Sequence, residues 1–191
     1  MPEAEDFVDL YWLPLGAGGH SVRLNGKVFE AVAARIAHRT PRDLYHSALI
    51  VTSPEGRFVI EQAPVVGAPR APHGVVAVGP VGSRAAERFR LFQYEIRRWR
   101  DGVIPDVDEA VESPCRLTTD PGIARRVLAA VEEIPTPVWG RDEFHAGEMW
   151  NSNSVIAWVL SRAGVPATTL VPPTGGRAPG WRAGVVVAER R

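Results

Sequence analysis

A run of small polar residues directly before an apolar stretch fixes the start of one helix in this chain. The tetrad Asn-Ser-Asn-Ser begins at Asn151, and the residues after it are mostly apolar. Asn and Ser are preferred at helix starts because their side chains accept hydrogen bonds from unpaired backbone N–H groups. A helix start also favours negative charge, so the segment is typical of either a cap or a nucleophile beside an oxyanion site. We predict a helix from about Asn151 to Ala163, ended by Gly164 and Pro166.

Alternating and β-branched segments predict a sheet. Leu44 to Val51 and Arg57 to Gln62 are rich in strand-forming residues. The connection between them, Thr52 to Gly56, contains the Pro and Gly of a hairpin, so we expect the two strands to pair antiparallel. Further strands are predicted over Asp9–Leu15, Gly74–Gly79, Phe92–Trp99 and Ala183–Ala188, and the residues Ala85–Leu91 indicate a helical turn.

Two more helices are indicated by capping residues and apolar spacing. One follows Asn25 and covers Lys27 to His38. The other starts at Asp120, which is followed by proline at the first helical position, and stops before Pro135. Hairpins with segregated helices predict the α+β class, an antiparallel sheet packed against a few helices. The length of 191 residues favours a single domain over residues 1–191.

Composition argues against several function classes. The 22 basic residues balance the 22 acidic ones, so no overall field attracts nucleic acid. No apolar run approaches the roughly 20 residues of a membrane span, and the acidic start lacks a secretion signal, so we expect a cytoplasmic protein without a membrane span. Cys115, placed in a loop before a helix, is the only cysteine, which rules out an internal disulfide.

One histidine stands out on a predicted strand. Alternation places His46 on the same strand face as Ala48 and Ile50, opposite Ser47. We expect a helix to cover the face that carries His46, and the hairpin brings Glu61 back beside it. A carboxylate next to an imidazole fixes one tautomer and stabilises the imidazolium, as an acid/base histidine requires. The alternatives are a hydrogen-bonded core histidine and an ordinary strand carboxylate.

Metal and polyanion binding have weaker signals. The five histidines form no H-x-x-x-H pair and no H-E-x-x-H motif, so we expect no metal and no cofactor. The segment Arg97 to Arg100 is basic and aromatic, but the acidic residues that follow it oppose a polyanion. We therefore interpret this segment as a solvated strand edge and expect no nucleic-acid partner.

Two segments together resemble the circularly permuted papain-like superfamily of NlpC-type amidases and peptidases, which includes the PPPDE peptidases and the lecithin-retinol acyltransferases. The segment Tyr45 to Val51 is similar to the histidine-bearing strand of that superfamily, and Trp150 to Val155 is similar to its nucleophile helix. The resemblance implies a permuted papain-like fold, with His46 as general base and Glu61 as the residue that orients it. Ser152 then stands where the superfamily has its catalytic cysteine.

The serine is a departure with chemical consequences. A cysteine at a helix start beside histidine becomes a thiolate, whereas a serine hydroxyl is too weak an acid and needs a base during attack. The first hypothesis is therefore an amidase, peptidase or acyltransferase in which Ser152 attacks, His46 moves the proton and Ser154 is the alternative nucleophile. The competing hypothesis is a non-catalytic protein that binds a peptide or small polar ligand in the same cleft.

Groups for ligand recognition lie around this predicted cleft. Trp139 and Arg141 precede the helix, and Arg177 lies in the Gly- and Pro-rich segment after it. Loops in such positions often carry recognition residues, although loop packing accounts for them equally well. The predicted binding residues are Trp139, Arg141, Asn151, Asn153, Ser154 and Arg177. The partner is expected to be a peptide or small-molecule substrate, and the sequence leaves the oligomeric state open.

Overall fold

The fold is built on one six-stranded antiparallel sheet. A computed structural model describes residues 5–15, 35, 38, 40–65 and 74–190. In chain order the strands are β1 (Phe7–Pro14), β2 (Tyr45–Ser53), β3 (Gly56–Pro64), β4 (Val75–Pro80), β5 (Gln93–Arg100) and β6 (Cys115–Thr118). They lie side by side in the order β4-β5-β3-β2-β1-β6, and each neighbouring pair is antiparallel. The predicted hairpin is confirmed, with Ser53 opposite Gly56 at its turn.

Three helices follow the sheet in the described part of the chain. They are α1 (Pro121–Ala130), α2 (Ser152–Arg162) and α3 (Trp181–Glu189). The Asp120 carboxylate caps α1 by accepting hydrogen bonds from the N–H groups of Gly122 (2.6 Å) and Ile123 (3.2 Å). Both helices predicted in this half of the chain are therefore confirmed, as is the α+β class. Short 3-10 turns lie at Arg84–Ala86, Arg90–Phe92, Val107–Glu109, Val131–Glu133 and Ala167–Thr169.

The prediction of a last strand over Ala183–Ala188 is wrong, because this segment forms most of α3. Gly184 lies so close to α2 that an added Cβ would stand 2.1 Å from the Ser154 carbonyl oxygen. Small residues allow this approach, and packing against α2 outweighs the strand preference of the valines. Trp181 anchors the start of α3, because its indole N–H donates to the Ala167 carbonyl at 2.9 Å.

The two faces of the sheet carry different cores. The face toward the helices forms the main core and includes Leu10, Tyr45, Leu49, Ile60 and Ile96. The other face carries a smaller cluster of Leu13, Ala48, Ile50, Val59 and Ile104. Strand β2 is therefore apolar on both sides, as expected for a strand in the middle of a covered sheet.

The basic segment Arg97 to Arg100 is solvent-exposed only at its end, at Arg100, so the prediction of a solvated strand edge is wrong for Arg97. It lies in β5, which is paired on both sides, with β4 and β3. Arg97 is buried and binds Glu61 at 3.1 Å and Glu95 at 3.0 Å. Two carboxylates neutralise this guanidinium, so the buried charge of Arg97 has a structural explanation.

Two further predictions concern Lys27 to His38 and Cys115. The helix predicted over Lys27 to His38 lies outside the described residues, apart from two single positions within it. Cys115 begins β6 and is exposed, so it does not lie in a loop as predicted. Among the described residues, no helix is long and apolar enough to cross a lipid bilayer.

Candidate functional site

The polar tetrad closes the start of α2 as a capping box. Asn151 is the N-cap, and its Oδ1 accepts hydrogen bonds from the N–H groups of Asn153 (2.9 Å) and Ser154 (3.4 Å). Ser154 returns the interaction, because its Oγ accepts from the Asn151 N–H at 3.1 Å. This exchange satisfies donors that an uncapped helix start would leave unpaired.

The same residues fasten α2 to the segment that leads into α3. Ser154 Oγ donates to the Gly180 carbonyl at 2.7 Å, and Asn151 Nδ2 donates to the Pro179 carbonyl at 2.9 Å. Gly180 has a φ of +85°, and its own N–H donates to the Glu148 carboxylate at 2.9 Å. Ser154 is 0% exposed, so its hydroxyl is not available as an alternative nucleophile for a substrate.

Asn153 joins three parts of the molecule. Its Nδ2 donates to the carbonyls of Tyr45 and Pro179, both at 2.9 Å. Its Oδ1 accepts from the Ser47 hydroxyl at 2.9 Å. Asn153 is only 2% exposed, so these bonds replace water for a side chain that is otherwise costly to bury. Asn153 therefore holds α2 against β2 and does not face a ligand.

His46 lies on the opposite face of β2 from α2. Ser47 contacts α2 through Asn153, and neighbouring residues of a strand point to opposite faces. His46 is paired across the ladder with Leu13, a member of the smaller core cluster. Burial lowers the pKa of His46 to about 4, and the Asp106 carboxylate opposes that shift. The prediction that a helix covers His46 is therefore wrong in one respect: α2 covers the other face.

Glu61 shares the face of His46 but has a structural partner. It stands opposite Arg97 in the ladder between β3 and β5, and their side chains form a buried ion pair at 3.1 Å. The carboxylate that acts on the pKa of His46 is instead that of Asp106. Glu61 therefore neutralises the buried guanidinium of Arg97.

Ser152 occupies the first helical position of α2 and remains partly exposed. Its hydroxyl makes no hydrogen bond to another described residue. The structure thus brings Asn151, Asn153 and Ser154 together in hydrogen bonds that hold the start of α2 in place, but it does not place His46 against Ser152.

Trp139 and Arg141 lie on a separate, ordered loop beside the sheet. The Tyr94 hydroxyl donates to the Pro137 carbonyl at 2.9 Å, and the Trp139 N–H donates to the Pro80 carbonyl at 2.8 Å. Arg141 Nε donates to the Gly82 carbonyl at 2.7 Å. These contacts fix the loop backbone, while the side chains of Trp139 and Arg141 remain exposed.

Two carboxylates stabilise this loop from within. Asp142 accepts hydrogen bonds from the N–H groups of Ala146 (2.7 Å) and Gly147 (2.9 Å). Glu143 binds Arg84 through both oxygens, at 3.1 and 2.8 Å. Burial opposes ionisation of Glu143, but the hydrogen bonds from Arg84 and the Val138 N–H outweigh it and lower the pKa of this carboxyl.

Arg177 lies apart from this loop. Its backbone pairs beside the start of β2, since its N–H donates to the Asp43 carbonyl and its carbonyl accepts from the Tyr45 N–H, both at 2.8 Å. Gly176 packs on the Tyr45 ring. The predicted binding residues are therefore divided among the hydrogen-bonded start of α2, the segment beside the start of β2 and an exposed loop.

Sequence reasoning missed the exposed apolar residues of the segment from Phe89 to Phe92, which is linked to Trp139 through Val81. Phe89, Leu91 and Phe92 are 52%, 64% and 41% exposed, and Trp139 is 37% exposed. Val81 links the two segments, because it forms a bridge with Trp139 and its N–H donates to the Phe92 carbonyl at 2.7 Å. The pattern Arg-Phe-Arg-Leu-Phe from Arg88 was the available signal. We call this set the aromatic–arginine surface: Arg88, Phe89, Arg90, Leu91, Phe92, Trp139 and Arg141.

Exposed apolar residues that cluster in this way mark interaction sites more often than isolated ones do. Among the residues that the structure describes, no group of His, Cys, Asp or Glu side chains is arranged to hold a metal ion. Comparisons with protein-family models, curated proteins and solved structures found no significant match to this chain.

Proposed function

We propose that this chain is a non-catalytic binding protein that captures a peptide segment on the aromatic–arginine surface. The observation that supports the proposal is the exposure of four large apolar side chains on two segments that are both bonded to Val81. Exposed aromatic residues with neighbouring arginines are enriched where proteins bind other polypeptides. The hydrogen bonds of the loop backbone pre-organise Trp139, which lowers the entropic cost of binding.

A small polar ligand at the start of α2 has less support. Asn151, Asn153 and Ser154 were the polar groups predicted to hold it, and all three already bond within the protein. A ligand would have to break these bonds before forming its own, and each broken buried bond costs about 1 kcal/mol or more. A peptide on the exposed surface breaks none of them.

Acyl transfer through Ser152 also has less support than binding. The reaction needs a base within hydrogen-bond reach of the serine hydroxyl. His46, the proposed base, lies on the strand face that points away from α2. We expect a fluorophosphonate probe to leave Ser152 unlabelled. Labelling of the wild-type protein that disappears in both Ser152→Ala and His46→Ala would support catalysis and contradict a purely binding role.

The binding proposal is tested with a displayed library of random peptides and the wild-type protein. Peptides selected by the wild type should bind Trp139→Ala about tenfold more weakly or worse, because a central aromatic contact is worth 1.4 kcal/mol or more. Val171→Ala is the matched control, since Val171 is an exposed apolar residue outside the surface. Failure to select any peptide, or equal binding by both variants, contradicts the proposal.

A further inference from the structure

We infer that the segment captured by the aromatic–arginine surface is acidic, with carboxylates next to apolar side chains. This inference rests on the proposed function above and concerns the chemistry of the partner. It follows from the charges that the fold leaves available around the exposed aromatic residues.

The carboxylates near the surface are mostly engaged within the protein. Asp142 is occupied by two backbone N–H groups, and Glu143 is occupied by Arg84 and the Val138 N–H. Glu87 is the remaining acidic residue of the segment 83–92, which contains three arginines. Cationic groups therefore outnumber the carboxylates that are open to a partner.

The arginines of the surface keep donors for a partner carboxylate. The Arg88 guanidinium lies over the Phe89 ring, 4.8 Å from its centre, in a cation–π contact. Its N–H groups form no hydrogen bond with another described residue, so a partner carboxylate can bind them in pairs. Arg141 uses Nε for the Gly82 carbonyl, and its two terminal nitrogens bond no other described residue. Arg90 is exposed and pairs with no described carboxylate.

A second copy of this chain fits the surface less well. A two-fold symmetric contact brings the same patch together from both copies, so arginines would face arginines. Pairing of the neighbouring edge strand β4 is also hindered, because β4 contains a register shift between Val75 and Ala77 and ends at Pro80, which lacks an N–H. An acidic partner removes the like-charge repulsion.

Nucleic acid is the other polyanion to consider, since bases stack on exposed aromatic rings. The most exposed apolar side chain of the surface, Leu91 at 64%, is aliphatic and offers no ring on which a base could stack. A peptide with separate carboxylates can place each one on an arginine and its apolar side chains on Phe89, Leu91 and Trp139. The observations therefore favour an acidic, partly apolar peptide.

The inference is tested with synthetic peptides and the full chain, using fluorescence anisotropy. One peptide alternates Glu with Leu and Phe, a second replaces every Glu with Gln, and a third replaces every Glu with Lys. The Glu peptide should bind about tenfold more tightly than the Gln peptide, because a charge-assisted pair is worth roughly twice a neutral hydrogen bond. The preference should shrink as salt is raised. The Lys peptide should bind most weakly.

Two variants separate charge from apolar contact. Arg88→Gln/Arg90→Gln should reduce the preference for Glu over Gln, and adding Arg141→Gln should abolish it, while binding of the Gln peptide stays unchanged. Trp139→Ala should weaken both peptides, and Arg182→Gln, an exposed arginine on α3, should change neither. Thermal melts of each variant verify folding.

The outcomes distinguish the inference from the function on which it rests. Equal binding of the Glu and Gln peptides overturns the acidic partner and leaves peptide binding intact. Binding of no peptide at all overturns both. Tighter binding of oligothymidylate than of the Glu peptide identifies a nucleic-acid surface instead, and self-association that Leu91→Arg removes identifies a second copy.

Discussion

Replacing Asn153 with alanine should destabilise the fold far more than replacing its neighbour Ser152. Asn153 makes three side-chain hydrogen bonds in the interior, two through Nδ2 and one through Oδ1. Its substitution leaves the Ser47 hydroxyl and the carbonyls of Tyr45 and Pro179 without these partners. Ser152 makes no such bond to a described residue.

The size of the effect follows from these contacts. A net contribution of about 1 kcal/mol for each hydrogen bond gives a loss of about 3 kcal/mol in the free energy of unfolding of Asn153→Ala. For a protein of this length, such a loss lowers the melting temperature by roughly 6 to 12 °C. Ser152→Ala, at a partly exposed position, should change the free energy of unfolding by less than about 0.5 kcal/mol.

Urea unfolding followed by tryptophan fluorescence measures both variants under identical conditions. Trp158 is buried within α2 and Trp150 is buried just before its start, so their emission reports loss of the packing around α2. A loss below about 1 kcal/mol for Asn153→Ala would refute the assignment of this residue as the link between α2 and β2. A Ser152→Ala loss equal to that of Asn153→Ala would refute it as well.

Three further predictions concern other contacts. Burial lowers the pKa of His46 from 6.5 to about 4, so the imidazole takes up its proton at a lower pH in the folded state than in the unfolded state. The contribution of neutral His46 to the free energy of unfolding is therefore fully present above about pH 6.5 and falls by at most about 3 kcal/mol as the pH is lowered toward 4. Thermal melts of His46→Gln at different pH values should lack that part of the pH dependence. Gly184→Ala should destabilise by about 1 to 3 kcal/mol in urea unfolding, since its Cβ would meet the Ser154 carbonyl, whereas the exposed Arg182→Ala should not. Arg97→Leu should cost about 3 to 5 kcal/mol in the free energy of unfolding, because it removes the guanidinium that pairs with the buried carboxylate of Glu61 and the partly buried one of Glu95; a loss below about 1 kcal/mol would contradict this.

Local signals in the sequence predicted most of the sheet and two helices. The Pro and Gly between β2 and β3 fixed that hairpin, and Asp120 with Pro121 fixed the start of α1. These features depend on neighbouring residues only, so they can be recognised without knowledge of the tertiary structure.

The signal failed where a distant contact decides the structure. The segment around Val185 to Val187 has strand propensity, but Gly184 allows it to pack as a helix directly on α2. The basic segment that contains Arg97 resembled an exposed edge because its partners, Glu61 and Glu95, compensate its charge only after folding. Propensity and charge patterns do not contain these partners.

In the candidate site too, the sequence indicates local features but not the contacts between distant segments. Alternation correctly placed His46 with Ala48 and Ile50 on one face of β2. Both faces of this strand are apolar, however, so the sequence does not specify which face the helix covers. Helix α2 packs on the face of β2 that carries Ser47, and this arrangement separates His46 from Ser152. Trp139 and Arg141 are among the predicted binding residues, whereas the sequence around Phe89 indicates only a helical turn.

The central claim is that β2 presents Ser47, and not His46, to the start of α2. A pair of double-mutant cycles in urea unfolding measures this directly, one with Ser47→Ala and Asn153→Ala and one with His46→Ala and Ser152→Ala. We predict a coupling energy of about 1 kcal/mol between Ser47 and Asn153, and a value within about 0.3 kcal/mol of zero between His46 and Ser152. The reverse result, coupling between His46 and Ser152 without coupling between Ser47 and Asn153, would contradict the account.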